Sequence, residues 1–252
     1  LKEGLYEDTG QREALFKLAR FHTTAAGESL VSLSQYVERM KEDQPAIYTI
    51  SGDDEEGLRT SPQLEGFAAR GIEVLLLTDA VDDFWISAAG EYEGKPFKSV
   101  TRGSGDLEAL PLEEEAQSAE SEEDADGASD LIALLKLTLG DTIKDVRASR
   151  RLTDSAVCLV ADEDQMDMHL ERVLSRHQQV TSRAPRILEI NTGHPLIKAL
   201  GTRAKDKGAA DELSDAARLL LDQAWIAEGE PLTDPAAFSR RMSDVMTKAL
   251  GG

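Results

Sequence analysis

The residues that could carry chemistry are two acids that follow the most apolar run of the chain. Asp82 and Asp83 come after the stretch Ile72 to Leu77, a pattern that predicts a buried strand followed by a helix. Ligands of open α/β sheets bind beyond the carboxyl ends of the strands, so the two acids could serve a small-molecule enzyme. This hypothesis depends on the carboxylates alone, and acids at this density are more often solvated surface than a general acid–base pair.

The other reactive residue types do not combine into a catalytic motif. None of the four histidines has a second ligand at metal-binding spacing, and the chain contains no G-x-S-x-G, G-x-x-x-x-G-K-[ST] or G-x-G-x-x-G pattern. The single cysteine, Cys158, lies in an apolar run, where cysteine usually acts as a small buried hydrophobe. A lone cysteine cannot form an internal disulfide, which favours a reducing compartment. The sequence therefore predicts no catalytic residue, no metal site and no cofactor in this chain.

The negative net charge of the chain argues against some classes of binding partner. The 252 residues include 48 Asp and Glu against 28 Lys and Arg, a formal net charge of −20. Such a surface repels phosphate backbones and anionic lipids, which argues against nucleic acid and membrane as partners. No apolar stretch is long enough to cross a bilayer and no signal peptide opens the chain, so we expect a cytoplasmic protein. The first residue is Leu1 rather than methionine, which suggests part of a longer protein.

Two groups of apolar residues lie where a partner could reach them. Phe84 and Trp85 are neighbours near a predicted helix start, and adjacent helix positions point about 100° apart. Either one ring is exposed for a partner or both rings cover the edge of the sheet. Further along, one predicted helix carries an apolar stripe that is either core or an adaptable binding surface. The stripe comprises Met166, Leu170, Val173 and Leu174.

An acid-rich segment separates two predicted domains of α/β (α+β) class. Residues 1–45 are predicted as a helical segment and residues 46–102 as a small α/β/α sandwich. Residues 103–128 contain no basic residue, and their centre, Glu113 to Gly127, has no aromatic or large aliphatic residue. This centre cannot bury enough apolar surface to offset its ordering entropy, which predicts a linker or a frayed acidic helix. Residues 129–252 are predicted as a mixed α/β domain.

The second domain is expected to contain three strands and one capped helix before its end. Ile143 to Ala148 and Ala156 to Val160 predict two strands that pair antiparallel through the turn between them. Arg186 to Ile190 predicts a third strand. Asp162 or Asp164 is expected to cap the helix that carries the apolar stripe.

A helical hairpin is predicted at the end of the chain. Asp211 to Ala227 and the segment after Asp234-Pro235 each carry an apolar stripe wider than a two-helix contact needs. Either a second copy of the chain covers the remaining side, which makes a four-helix bundle, or the hairpin folds back onto its own sheet. The pattern alone leaves both arrangements open.

Five ordered blocks resemble the heat-shock protein 90 family, most closely its bacterial members. Together they extend over nearly the whole chain apart from the acidic segment, which is not expected by chance. The blocks are GIEVLLLTDAVDDFW (Gly71 to Trp85), YEGKPFKSV (Tyr92 to Val100), VRASRRLTDSAVCLV (Val146 to Val160), LEINTGHPLIKAL (Leu188 to Leu200) and ARLLLDQAWIAEGEPLTDPAAFSRRM (Ala217 to Met242).

The resemblance implies a dimeric, ATP-driven chaperone of protein folding and the stress response. This chain matches the later middle domain and the C-terminal dimerisation domain of such a protein. The ATP pocket is expected outside the chain, so ATP and Mg²⁺ are implied for the full-length protein and no ATPase site for this part. The implied partners are a second copy, unfolded or partly folded clients and other bacterial chaperones. Tetratricopeptide co-chaperones are not expected, because the chain does not end in the acidic peptide of eukaryotic members.

The resemblance also implies residue roles. Bacterial members bind clients at an acidic-aromatic helix start, which falls here on Asp83 and Phe84 or Trp85, with Ser87 further along. They also use an amphipathic helix, which falls on the stripe of Met166, Leu170, Val173 and Leu174. The last two helices of the family form the dimer interface, which implies Leu213, Ala217, Leu220, Leu221, Ala224, Phe238, Met242, Val245 and Met246. Which of the two adjacent rings faces the client stays open.

Overall fold

The computed structural model divides the chain into two compact units. The first unit comprises Leu1–Ala116 and Ala161–Ala184, and the second comprises Gln117–Val160 and Pro185–Gly252. The residues that the structure describes are 1–103, 107, 110–111, 122–176, 184–205 and 210–251.

The two units do not coincide with the predicted domains. Residues 129–252 are predicted as one domain, whereas Ala161–Ala184 belongs to the first unit. A parallel bridge joins Arg102 to Ala161, and the amide of Ala161 donates to the carbonyl of Thr101 over 2.9 Å. Most of the predicted acidic linker lies outside the described residues, so its role as a linker stays a prediction.

The helices and strands are numbered along the chain. The helices are α1 (Lys2–Glu7), α2 (Arg12–Leu18), α3 (Leu33–Arg39), α4 (Glu55–Arg59), α5 (Glu65–Ala68), α6 (Asp82–Ala89), α7 (Glu122–Leu139), α8 (Met168–Arg176), α9 (Pro195–Ala204), α10 (Ala210–Ala227) and α11 (Pro235–Ala249). The strands are β1 (His22–Thr23), β2 (Ile47–Ser51), β3 (Val74–Leu77), β4 (Glu91–Tyr92), β5 (Lys95–Ser99), β6 (Asp145–Ala148), β7 (Val157–Val160) and β8 (Ile187–Ile190).

The first unit contains a five-stranded mixed sheet in the order β1-β3-β2-β5-β4. Strand β2 pairs parallel with both β3 and β5, and Tyr48 lies opposite Val74. The two outermost pairings are antiparallel. Every residue of β3 is buried, because successive side chains point to opposite faces and helices cover both faces. The apolar run Ile72 to Leu77 thus forms the buried strand that the sequence predicts.

The two faces of this sheet pack against different helices. Val74 and Leu76 point to the core formed with α4 and α5, through Leu58 and Phe67. On the other face, β3 contributes to a core with side chains from α1, α2, α3 and α6. Those side chains include Leu5, Phe16, Leu33, Tyr36 and Trp85.

The second unit contains a three-stranded mixed sheet in the order β6-β8-β7. The predicted antiparallel pairing of β6 with β7 is wrong, because β8 lies between them, parallel to β6 and antiparallel to β7. Strand β8 is buried along its whole length, and the central position gives its backbone a partner on both sides. With two mixed sheets and helices in both units, the predicted mixed α/β class is confirmed.

A buried carboxylate helps to hold β8 in this central position. Oε1 of Glu189 accepts from Nη2 of Arg147 over 2.8 Å, and Oε2 accepts from Oγ of Ser149 over 2.8 Å and from Nε of Arg151 over 3.1 Å. The side chains of Glu189 and Arg151 are each 1% exposed. The connection after β6 is thereby tied to β8 rather than forming a hairpin with β7.

The terminal hairpin consists of two helices in different environments. The apolar face of α10 is buried within its own unit, where α10 contacts α7 and β7. The residues of that face are Leu213, Ala217, Leu220, Leu221, Ala224 and Trp225. Helix α11 has no buried residue, and its face with Met242, Val245 and Met246 is exposed.

The predicted dimer interface is therefore divided. Its members on α10 are internal core of the single chain, because the sheet already covers the stripe on that helix. Nη1 of Arg241 donates to Asp222 over 3.0 Å and ties one face of α11 to α10. Helix α11 begins with a side-chain cap, since Asp234 Oδ1 accepts from the amide of Ala237 over 2.9 Å.

Candidate functional site

A cleft of about 330 Å³ in the first unit brings together two stretches that are far apart in sequence. Its lining includes Asp83 and Ser87 of α6, Met166 just before α8, and Leu170 of α8. Thr49, Ser99 and Arg102 supply further polar lining. Four of the residues implied for client binding thus line a single cleft.

Helix α6 is fixed at its start by Asp82. Oδ1 of Asp82 accepts from Nε1 of Trp85 over 2.6 Å, and Oδ2 accepts from the amide of Asp79 over 3.0 Å and from Nζ of Lys2 over 2.9 Å. Burial raises the pKa of Asp82 above its usual range, although the charge of Lys2 opposes this shift. Both oxygens of Asp82 are thus occupied in holding α1 and α6 together.

This arrangement does not support the enzyme hypothesis. Asp82 is 1% exposed and Asp83 is 5% exposed, so neither carboxylate faces open solvent. Among the described residues, no group of three or more His, Cys, Asp or Glu is placed to hold a metal ion.

No helix in the described part of the chain is long and apolar enough to cross a membrane.

A buried ion pair joins α6 to α8. Nδ1 of His169 and Oδ2 of Asp83 are hydrogen-bonded at 2.7 Å, between residues 86 positions apart. On its other side, Nε2 of His169 lies 3.6 Å from Oδ1 of Asp53. Burial by itself lowers the pKa of His169, but the hydrogen bond and charge of Asp83 outweigh burial and raise that pKa above 6.5. When the imidazole is protonated, its pairing with Asp83 stabilises the packing of α8 on α6.

We expect His169→Gln to remove a pH-dependent part of the stability of the chain. Because the folded-state pKa is raised, the contribution of His169 is fully present below the unfolded pKa of about 6.5 and is lost as pH rises through the folded pKa. Loss of a charged hydrogen bond should lower the free energy of unfolding by about 1.5–3 kcal/mol at low pH. Urea denaturation over a pH series measures this difference, which should shrink as pH rises.

The partner variant Asp83→Asn provides the control for this pH dependence. Because the Asp83 carboxylate raises the pKa of His169, removing its charge should abolish the same pH dependence. A His169→Gln chain whose stability follows the same pH profile as the unchanged chain would contradict the assignment.

The two adjacent aromatic rings of α6 differ in exposure. Trp85 is fully buried and packs against Phe16, Phe21 and Phe97 at centroid distances of 5.5–5.8 Å. Phe84 is 36% exposed. The ring of Trp85, which the resemblance also implies for client binding, is surrounded by the core in this structure. Phe84 is the ring that a partner can reach.

The start of α8 is held by Asp167 and not by either predicted capping residue. Oδ1 of Asp167 accepts from the amide of His169 over 2.8 Å. Oδ2 accepts from the hydroxyls of Thr101, over 2.8 Å, and Ser99. Asp162 and Asp164 precede the helix, which begins at Met168. The helix start is thereby anchored beside β5.

The predicted apolar stripe is only partly covered, and its first member, Met166, precedes α8 rather than lying on it. Met166 is 41% exposed, and Leu170, Val173 and Leu174 are partly buried. Sequence reasoning missed His169 and Asp167, because the partners that give them their roles lie 66 to 86 positions away. No local spacing signals such partners.

A family model described as Hsp90 protein matches residues 1–252. The chain belongs to the Hsp90 family. Chaperone protein HtpG of Roseobacter denitrificans is 52% identical over 252 residues, which cover 99% of this chain and 40% of that relative. Chaperone protein HtpG of Paramagnetospirillum magneticum is 53% identical over 253 residues, which cover 100% of this chain and 40% of that relative. The Azorhizobium caulinodans protein of the same name is 49% identical over 256 residues, which cover 99% of this chain and 40% of that relative.

The resemblance to the Hsp90 family is thus confirmed along the whole chain. The chain spans about 40% of the length of the curated relatives that it matches. These relatives are chaperones, which agrees with the chaperone function that the Hsp90 resemblance implies and gives no support to a small-molecule enzyme.

Proposed function

We propose that this chain provides client binding and homodimerisation to an ATP-dependent Hsp90-type chaperone. It corresponds in this proposal to the later middle domain and the C-terminal dimerisation domain. ATP and Mg²⁺ act in other parts of the full-length protein, and the chain carries no phosphate-binding motif of its own. The setting is the bacterial cytoplasm, where stress increases the supply of unfolded clients. Cooperation with other bacterial chaperones belongs to the same proposal.

The observation that carries the client-binding role is the shared cleft of α6 and α8. It brings Ser87 of α6 together with Met166 and Leu170, beside the buried Asp83, and Phe84 is exposed on the same helix as Ser87. A mixed surface of this kind suits unfolded segments, which present apolar side chains together with unpaired backbone groups. Methionine adapts to many shapes, which favours a site with varied clients.

The exposed face of α11 supports the proposed dimer. Met242, Val245 and Met246 are 37%, 47% and 56% exposed and share one helix face by their spacing. Phe238 lies one turn earlier and is partly exposed. A second copy would cover this face by packing α11 against α11, with α10 as the inner helix of each copy.

We expect the double variant Phe84→Ala/Met166→Ala to bind unfolded protein about tenfold more weakly. The two side chains lie on different elements, and losing two apolar contacts of an interface removes at least about 1.4 kcal/mol. Both are partly exposed, so the fold should be retained. The measurement is fluorescence anisotropy with a labelled, permanently unfolded model protein.

The matched control is Leu18→Ala/Leu30→Ala, which removes two side chains that are 63% and 52% exposed elsewhere in the first unit. Its affinity for the unfolded protein should equal that of the unchanged chain. Equal losses in both double variants would mean that binding is unspecific, and the client-binding proposal would then fail.

A further inference from the structure

Beside Phe84 lies a second exposed aromatic ring. Tyr6 of α1 is 53% exposed, and its ring centroid is 6.1 Å from that of Phe84, with the planes at 60°. Burial of either ring against a partner would remove a large apolar area from water. Exposed aromatic side chains in adjacent positions are typical of the centres of binding interfaces.

The backbone beneath the two rings is held rigidly. Lys2 of α1 forms ion pairs with Asp79 at 2.6 Å and with Asp82 at 2.9 Å. Nε of Arg12 donates to the carbonyl of Leu5 over 2.9 Å, and Nη1 donates to the carbonyl of Ala88 over 3.0 Å. Leu5 itself is fully buried in the core. The rings are therefore positioned in advance, which reduces the entropy that a partner must offset on binding.

The charge around Tyr6 is negative. On α1, Glu3 lies three positions before Tyr6, and Glu7 lies one position after it. Both glutamates are exposed. Neither forms an ion pair within the described part of the chain, whereas the neighbouring cations Lys2 and Arg12 are engaged in the contacts above. The whole chain has a net charge of −20. A partner with positive charge next to apolar side chains would complement this surface.

We propose that Tyr6 is a client-contacting residue that extends the surface of Phe84 and selects client segments in which Lys or Arg lies next to an aromatic or aliphatic side chain. The apolar side chain packs against the two rings. The cation lies over the face of Tyr6 or beside Glu3 and Glu7. This inference rests on the proposed client-binding function and adds to it a residue and a class of substrate.

The test uses the full chain and two unfolded peptides of about 15 residues, a length that forms one extended segment. The two peptides differ only in charge. One peptide alternates Leu, Lys and Ser, and the other has Glu in place of Lys. We expect the Lys peptide to bind about tenfold more tightly at low salt, and the difference to disappear at about 1 M NaCl because salt screens exposed charges.

Variants separate the aromatic contribution from the charge. Tyr6→Ala should weaken binding of the Lys peptide about fivefold to tenfold, and Tyr6→Phe should retain most of the affinity because the ring remains. Glu3→Gln/Glu7→Gln should remove the preference for Lys over Glu. Leu30→Ala is the matched control, and thermal melting of Tyr6→Ala checks that the fold is retained.

The outcomes distinguish this inference from the function on which it rests. If Phe84→Ala weakens binding while Tyr6→Ala does not, the role of Tyr6 is overturned and the client-binding function stands. If both peptides bind equally well to the unchanged chain, the selection by charge is overturned. If the unchanged chain binds neither peptide, and also fails to bind an unfolded protein, both proposals are overturned.

Discussion

Glu189→Ala will lower the free energy of unfolding of the second unit by about 3–5 kcal/mol. The variant removes the carboxylate that accepts from Arg147, Ser149 and Arg151, and it leaves the guanidinium of Arg151, 1% exposed, without that counter-charge. Breaking a buried ion pair by removing one partner has a cost of this size. Since domains are stable by only about 5–15 kcal/mol, the variant should unfold at a much lower urea concentration. Circular dichroism during urea denaturation measures the change.

An exposed ion pair in the same unit provides the control. Glu212 contacts Arg203 at 3.2 Å, but both side chains are about half exposed, at 53% and 52%. Glu212→Ala should change the free energy of unfolding by less than about 1 kcal/mol, because water screens the pair. Similar losses in the two variants would show that burial of Glu189 does not determine the cost.

We expect Met242→Glu/Met246→Glu to convert the dimer that we propose to a monomer at micromolar concentration. Both residues lie on the exposed face of α11, so the charges stay hydrated in the single chain and its fold is retained. In a dimer the same face is covered, and burying unpaired carboxylates costs several kcal/mol. The dissociation constant should rise about 100-fold or more, which corresponds to roughly 2.7 kcal/mol. Light scattering should change from twice the chain mass of 27.4 kDa to that mass itself.

Two further substitutions test this prediction from opposite sides. Leu137→Glu alters an apolar side chain of α7 that is 86% exposed, and it should leave the dimer intact. Leu220→Glu places a charge at a position that is 3% exposed inside the second unit, so it should destabilise the fold rather than only separate two copies. An unchanged chain that is monomeric at micromolar concentration would contradict the dimer proposal itself.

The local pattern of the sequence determined much of the fold. The continuous apolar run before Asp82 specifies a strand covered on both faces, and β3 is buried throughout. The Ser32 and Gln35 pair forms a capping box at the start of α3, as the spacing of three residues requires. Asp234 followed by Pro235 starts α11 for the same local reason. The five blocks that resemble the Hsp90 family could also be recognised from the sequence, because each block is contiguous in the chain.

The tertiary structure alone decided how these elements meet. An apolar stripe specifies that a helix face must be covered but not by what, so the sequence could not tell that the chain itself covers α10 and leaves α11 exposed. Likewise, the pattern predicts β6, β7 and β8 without their order, because strand pairing depends on contacts between distant residues such as Glu189 and Arg151. The direction of Phe84 and Trp85 and the pairing of His169 with Asp83 were undetermined for the same physical reason. Each depends on the position of a side chain tens of residues away, and local periodicity carries no information about such a partner.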